Sequence, residues 1–149
     1  MAASDNVVRS GLTPKFKDVE TLVSMLTYNY GPANSQILVG APYKSYNTKQ
    51  TLLYDPPIEE FSVLRTHLEG INTSSEEYEG MDGPSILIVT DGNAIIEYEY
   101  SCDGHEAKRE KMEAKNGYCF FIGAHVKVML TSTSETSTMY RAFCAIVHH

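Results

Sequence analysis

The chain lacks any apolar run approaching the roughly 20 residues that cross a bilayer as a helix, so no membrane span is expected. Its first residues, Met1-Ala2-Ala3-Ser4-Asp5-Asn6, carry no basic segment followed by an apolar one and do not read as a secretory signal. Cysteine is scarce. Cys102, Cys119 and Cys144 make an odd set with no Cys-x-x-Cys pair, which excludes a disulfide framework and a paired-thiol zinc motif. Reduced thiols in a cytoplasmic protein are expected, with Cys119 and Cys144 packed as small hydrophobes. Clustered cations are also missing: 12 Lys+Arg stand against 19 Asp+Glu, a formal net charge of -7. Nucleic acid is therefore not an expected partner, because phosphate binding depends on grouped Lys and Arg. The densest basic stretch, Lys108-Arg109-Glu110-Lys111, has a carboxylate inside it and reads as a solvated strand or loop face.

Several catalytic patterns are absent too. A zinc site needs converging ligands, usually with one close pair. His67, His105 and His125 are isolated, and no His-x-His exists, so no metal is expected to be bound by this chain alone. There is no Gly-x-Ser-x-Gly elbow, no Gly-x-Gly-x-x-Gly fingerprint and no phosphate-binding P-loop. Asp91-Gly92-Asn93 lacks the remaining ligand positions of a calcium loop. Cys119 lies in an apolar run, where a thiol is usually inert.

What is present is an ordinary folded composition, 42% hydrophobic and 21% charged over 149 residues, which suits a single domain spanning 1–149. One short helix is predicted near the N-terminus. Asp18 caps it, Val19, Leu22, Val23 and Leu26 form one apolar face, and Tyr30-Gly31-Pro32 ends it. The pattern then turns to β. Gln50–Tyr54 and Phe61–Leu68 read as strands, the second with a bulge where its apolar phase slips between Val63 and Leu64. Ile71–Asp82 reads as a polar surface loop. Ile86-Leu87-Ile88-Val89 reads as a strand buried on both faces, and Asp91-Gly92 as a hairpin turn. Ile96, Tyr98 and Tyr100 alternate with Glu97 and Glu99 as a half-buried strand. Tyr118–Ile122, Val126–Leu130 and a last strand carrying Tyr140, Ala142, Cys144 and Ile146 follow. About eight short, regularly spaced strands predict a mainly β fold, a jelly-roll sandwich with one short N-terminal helix.

The polar segment at 1–16 is the densest in groups that tight turns could hold rigidly. Composition alone favours a surface loop laced by an Asp5–Arg9 ion pair, a contact of little energetic value when exposed. His148-His149 reads as native sequence or as the stub of a purification tag and carries no functional weight.

The same segment, Ser4-Asp5-Asn6-Val7-Val8-Arg9-Ser10-Gly11-Leu12-Thr13-Pro14-Lys15, resembles the signature of the type I phosphomannose isomerases. Further blocks resemble that family in order: Tyr54-Asp55-Pro56-Pro57-Ile58-Glu59-Glu60-Phe61, Gly83-Pro84-Ser85-Ile86-Leu87-Ile88-Val89, Gly117–Ala124 and Tyr140-Arg141-Ala142-Phe143. The resemblance implies the cupin-like C-terminal part of an enzyme that interconverts mannose 6-phosphate and fructose 6-phosphate, feeding GDP-mannose synthesis. It implies Arg9 as the catalytic arginine, Lys15 as a substrate-binding lysine, and Asp5 and Asn6 as supports for Arg9 or its loop. The family's Zn2+ is held by a Gln, two His and a Glu upstream of the signature, and these have no counterpart here. The piece alone is therefore expected to be inactive, to need the missing N-terminal portion as its partner, and to self-associate through the surface left open. His125 stands roughly where a cupin's second motif places its lone histidine, one ligand without a site. A cupin-like binding module without catalytic activity is the alternative reading.

Overall fold

The computed structural model describes residues 8–9, 12, 14–43, 50–101 and 107–144. The chain divides into two compact units, Met1–Leu38 and Val39–His149. In the first, helix α1 spans Val19–Met25. Asp18 caps it as expected: its Oδ1 accepts the Thr21 amide at 3.0 Å and its Oδ2 the Thr21 hydroxyl at 2.7 Å. These two bonds, to the backbone first and the side chain second, hold the Asp18 carboxyl below its ordinary pKa. Leu26 is already extended, so α1 stops before Tyr30-Gly31-Pro32. Its apolar face is open, with Val19 62% and Val23 55% exposed.

The second unit is the expected sandwich. Its strands are β1 (Ala41–Pro42), β2 (Thr51–Tyr54), β3 (Ser62–Glu69), β4 (Ser75–Tyr78), β5 (Ser85–Asp91), β6 (Asn93–Tyr100), β7 (Lys108–Lys115), β8 (Cys119–Ile122), β9 (Lys127–Ser132) and β10 (Thr136–Phe143). They form a six-stranded sheet in the order β1-β2-β3-β10-β5-β8 and a four-stranded sheet in the order β4-β9-β6-β7. Every pairing is antiparallel. Between the sheets lie Leu64, Leu68, Leu87, Val89, Ile96, Val128, Leu130 and Met139, all nearly or fully buried. Period-two alternation places them there: on β3, for example, Ser62, Leu64, Thr66 and Leu68 point in, and Val63, Arg65, His67 and Glu69 point out.

That alternation is unbroken, so β3 has no bulge. Val63 is simply an apolar residue on the outer face. The irregularity falls on β5, where Thr138 pairs with Asp91 and Met139 with Val89, leaving Thr90 unopposed. Nor is β5 buried on both faces: Leu87 and Val89 point in, while Ile86 and Ile88 remain 52% and 41% exposed. Asp91-Gly92 is not a hairpin turn, because β5 and β6 belong to different sheets. It is the corner between them. Gly92 sits at φ +67, and a Cβ there would lie 1.9 Å from the Thr136 carbonyl oxygen, so the corner requires glycine. The polar stretch Ile71–Asp82 contains β4, whose Tyr78 is 1% exposed. On β10 the inward set is Ser137, Met139 and Arg141, with Tyr140 and Ala142 outside. Cys119 and Cys144 are exposed rather than packed. Cys119 takes the outward phase of the edge strand β8, whose inward positions belong to Phe120 and Ile122.

Candidate functional site

Of the four residues singled out at the N-terminus, Asp5 and Asn6 lie outside the described residues. Arg9 is half-buried and Lys15 exposed, both within the first unit. A guanidinium holds its donors in a fixed fork, which suits it to an oxyanion.

The two described histidines do not converge. His67 lies on the outer face of β3, its Nδ1 2.9 Å from Thr138 Oγ1 and its Nε2 3.4 Å from Glu69. His125 is an exposed turn residue at φ 61, its Nδ1 3.9 Å from Asp82. Its amide donates to the Met81 carbonyl at 2.7 Å, and its backbone presses on Gly80, where a Cβ would come within 2.5 Å. His125 therefore serves the turn between β8 and β9. His105 lies outside the described residues. Among the described residues no three His, Cys, Asp or Glu side chains gather, so these residues do not fit a zinc ion.

The interior holds polar groups that sequence reasoning missed. The Tyr78 hydroxyl meets the Thr51 hydroxyl at 3.0 Å and the Thr66 hydroxyl more closely still, inside the core. Burial pushes this phenol's pKa above its ordinary value, against the pull of the two threonine bonds. Arg141, 2% exposed, donates from Nε to Ser85 Oγ at 2.9 Å and places its guanidinium carbon 5.5 Å from the Tyr78 ring centroid. Neither Nη atom has an acceptor among the described residues. Burial lowers this group's pKa, and Tyr78 and Tyr43 oppose the shift. The inward phase of β10, opposite Leu64 and Leu87, is the signal that would have found Arg141.

A cavity of about 460 Å³ opens between the sheets beside Ile96, Tyr98, Tyr100, Met112, Phe120 and Val128. Its polar feature is at one side. Tyr98 and Tyr100 donate from their hydroxyls to the two oxygens of Glu110, at 2.7 and 3.2 Å. Those two bonds hold the Glu110 carboxyl below its ordinary pKa. Rings with one carboxylate beside them can hold a small, largely apolar molecule.

Comparison with known proteins agrees with this architecture. Residues 51–98 match the family model described as Phosphomannose isomerase type I C-terminal. The mannose-6-phosphate isomerase of Saccharomyces cerevisiae is 48% identical over 144 residues, covering 96% of this chain and 31% of the relative. That of Ogataea parapolymorpha is 47% identical over 146 residues, covering 97% of this chain and 32% of the relative. The crystal structure of mannose 6-phosphate isomerase from Salmonella typhimurium, bound to fructose 6-phosphate and zinc, superposes with a TM-score of 0.69 at 24% identity, over 98% of this chain and 32% of that one. The chain thus spans about a third of the length of the curated relatives it matches. Over nearly its whole length, it corresponds to the C-terminal part of the type I mannose-6-phosphate isomerases.

Proposed function

We propose that this chain is the C-terminal part of a zinc-dependent aldose–ketose isomerase that interconverts mannose 6-phosphate and fructose 6-phosphate. The observation that carries the reading is the 48% identity to the Saccharomyces cerevisiae isomerase over 96% of this chain. The zinc chemistry belongs to the two thirds of the relatives that precede these residues. When bound there, zinc polarises substrate oxygens as a Lewis acid. This chain supplies Arg9. Moving a proton between C1 and C2 builds negative charge on a substrate oxygen, and a fixed guanidinium beside it lowers that barrier. The resemblance assigns Lys15, an exposed residue, to the substrate phosphate. Asp5 and Asn6 orient Arg9 or pin its loop.

The test is a chimera: the Saccharomyces cerevisiae isomerase with its aligned C-terminal third replaced by this chain. It is expected to isomerise mannose 6-phosphate, and Arg9→Ala in it to lower kcat by a factor of about 10²–10³ while zinc content is unchanged. Near-normal turnover in that variant removes Arg9 from the mechanism. The isolated chain is expected to be inactive with or without added zinc. Zinc-dependent turnover by it would place the ligands within these residues and overturn the reading. The isolated chain also self-associates weakly through its exposed apolar residues, so its sedimentation coefficient is expected to rise with concentration.

The cavity beside Tyr98 and Tyr100 favours a second reading, a non-catalytic binding module. An inactive chimera, together with micromolar binding of a small aromatic molecule lost in Ile96→Trp, would favour it.

A further inference from the structure

The outer face of the four-stranded sheet neutralises its carboxylates with cations. Arg109 meets Glu99 at 2.7 Å, Lys111 meets Glu97 at 2.7 Å and Lys127 meets Glu79 at 3.1 Å. Glu110 is treated differently. It shares the inward phase of β7 with Met112 and the buried Ala114, and it stands opposite Tyr98 in register. Its two oxygens are held by two phenols, Tyr98 at 2.7 Å and Tyr100 at 3.2 Å. Lys108, the other charged residue of that phase, acts on it only through its field, with no ion pair between them. A hydroxyl donates a hydrogen bond but brings no charge, so the negative charge of Glu110 stays uncancelled. A carboxylate offers about four lone-pair sites, and two phenols leave roughly half of them for another donor.

The same two tyrosines line the cavity of about 460 Å³, with Met112 and Phe120 beside them. Their rings are nearly parallel, 23° apart, with centroids 6.0 Å from each other. A phenol that donates to a carboxylate gains electron density in its ring, and electron-rich rings attract cations. An anion would meet repulsion from the carboxylate and the rings alike. A neutral molecule would gain the apolar contacts and nothing from the charge. We propose that this cavity is a binding site for a small organic cation, a protonated or quaternary amine carried on an apolar body. The body fills the space beside Ile96, Met112, Phe120 and Val128, and the cationic head lies toward Tyr98, Tyr100 and Glu110. All of these residues belong to the second unit. The site holds whether the whole polypeptide is an isomerase or a binding module, so its test needs no turnover.

The test is calorimetric titration of the full chain with benzyltrimethylammonium, alongside benzyl alcohol and phenylacetate as neutral and anionic probes that carry the same ring. The cation is expected to bind with a dissociation constant below about 1 mM, at least about fivefold more tightly than benzyl alcohol. Phenylacetate is expected not to bind. Glu110→Gln keeps the shape and an acceptor oxygen but removes the charge. It is expected to weaken the cation about fivefold or more and to leave benzyl alcohol within about twofold. The Met112 methyl resonance, assigned by its loss in Met112→Leu, is expected to shift as the cation saturates the chain. A cation that does not bind up to about 10 mM overturns the inference. So does benzyl alcohol that binds as tightly as the cation, and so does Glu110→Gln that binds the cation unchanged. Saturable heat that leaves the Met112 methyl unmoved puts the cation elsewhere and overturns it too. The comparison of probes is made on the parent chain, so it decides the matter even where the variant fails to fold.

Discussion

Tyr78→Phe removes a single hydroxyl from the centre of the sandwich. In the parent that hydroxyl meets both Thr51 and Thr66, and all three side chains are at most 2% exposed. Without it the two threonine hydroxyls have only each other, at 3.3 Å, and one hydrogen-bonding capacity goes unmet in a dry interior. A loss of about 1–3 kcal/mol at pH 7 is expected, the cost of stranding a buried polar group. At about 4 °C per kcal/mol, the melting temperature falls by roughly 4–12 °C. The pH dependence sharpens the test. Burial raises the Tyr78 pKa above its ordinary 10.0, so the folded protein holds this proton more tightly than the unfolded chain. The hydroxyl's contribution is therefore whole below pH 10 and is lost as pH rises toward the folded pKa. The loss proceeds at up to about 1.4 kcal/mol per pH unit. Phenylalanine has no proton to lose. Urea unfolding of both proteins at pH 7, 9, 10.5 and 11.5 should show a gap that is constant up to pH 9 and narrows above 10. The remaining tyrosines titrate in both proteins and cancel. A gap that stays constant to pH 11.5, or a variant as stable as its parent at pH 7, would refute the account of Tyr78 as a buried, doubly bonded phenol.

Other expectations follow from the same geometry. Arg141→Met is expected to raise the urea midpoint, because it keeps the packed stem and removes a guanidinium with two unpaired nitrogens. Arg141→Ala is expected to lower it, since the lost stem leaves a cavity worth about 2–4 kcal/mol. Gly92→Ala is expected to cost more than about 2 kcal/mol, because the positive φ and the Thr136 carbonyl together leave no room for a methyl group. Helical signal at 222 nm in the N-terminal unit is expected to weaken below pH 4, where Asp18 gains a proton and ceases to cap α1; Asp18→Asn should abolish that pH dependence. Iodoacetamide should modify Cys119 in the folded isolated chain, an outcome that its packing in the core would forbid.

Much of the fold is legible in the residues because strand burial has a period of two. Ile96, Tyr98 and Tyr100 alternate with Glu97 and Glu99, and the inward phase of β6 can be read from that alternation. The Asp18 cap is equally local: a carboxylate three residues before Thr21 needs no tertiary partner. The reading went wrong where the signal was not local. Ile86-Leu87-Ile88-Val89 is uniformly apolar, and sequence cannot say whether one face or both faces are covered. Asp91-Gly92 demands a tight turn, but only the pairing of β5 with β10 and of β6 with β9 decides that the turn joins two sheets. β4 was hidden because Ser75, Glu76 and Glu77 are polar, and one tyrosine carries its whole contact with the core.

The candidate site divides in the same way. Sequence by itself made the kinship legible, because motif order survives in the chain without coordinates. Only the tertiary structure decided which apolar residues face water. Strand order sets Val63, Ala142, Ile86 and Phe121 side by side across four strands that are far apart in sequence. Only it revealed Arg141 as a buried cation over Tyr78, because burial depends on which neighbours complete the shell, and those neighbours come from strands more than 50 residues away.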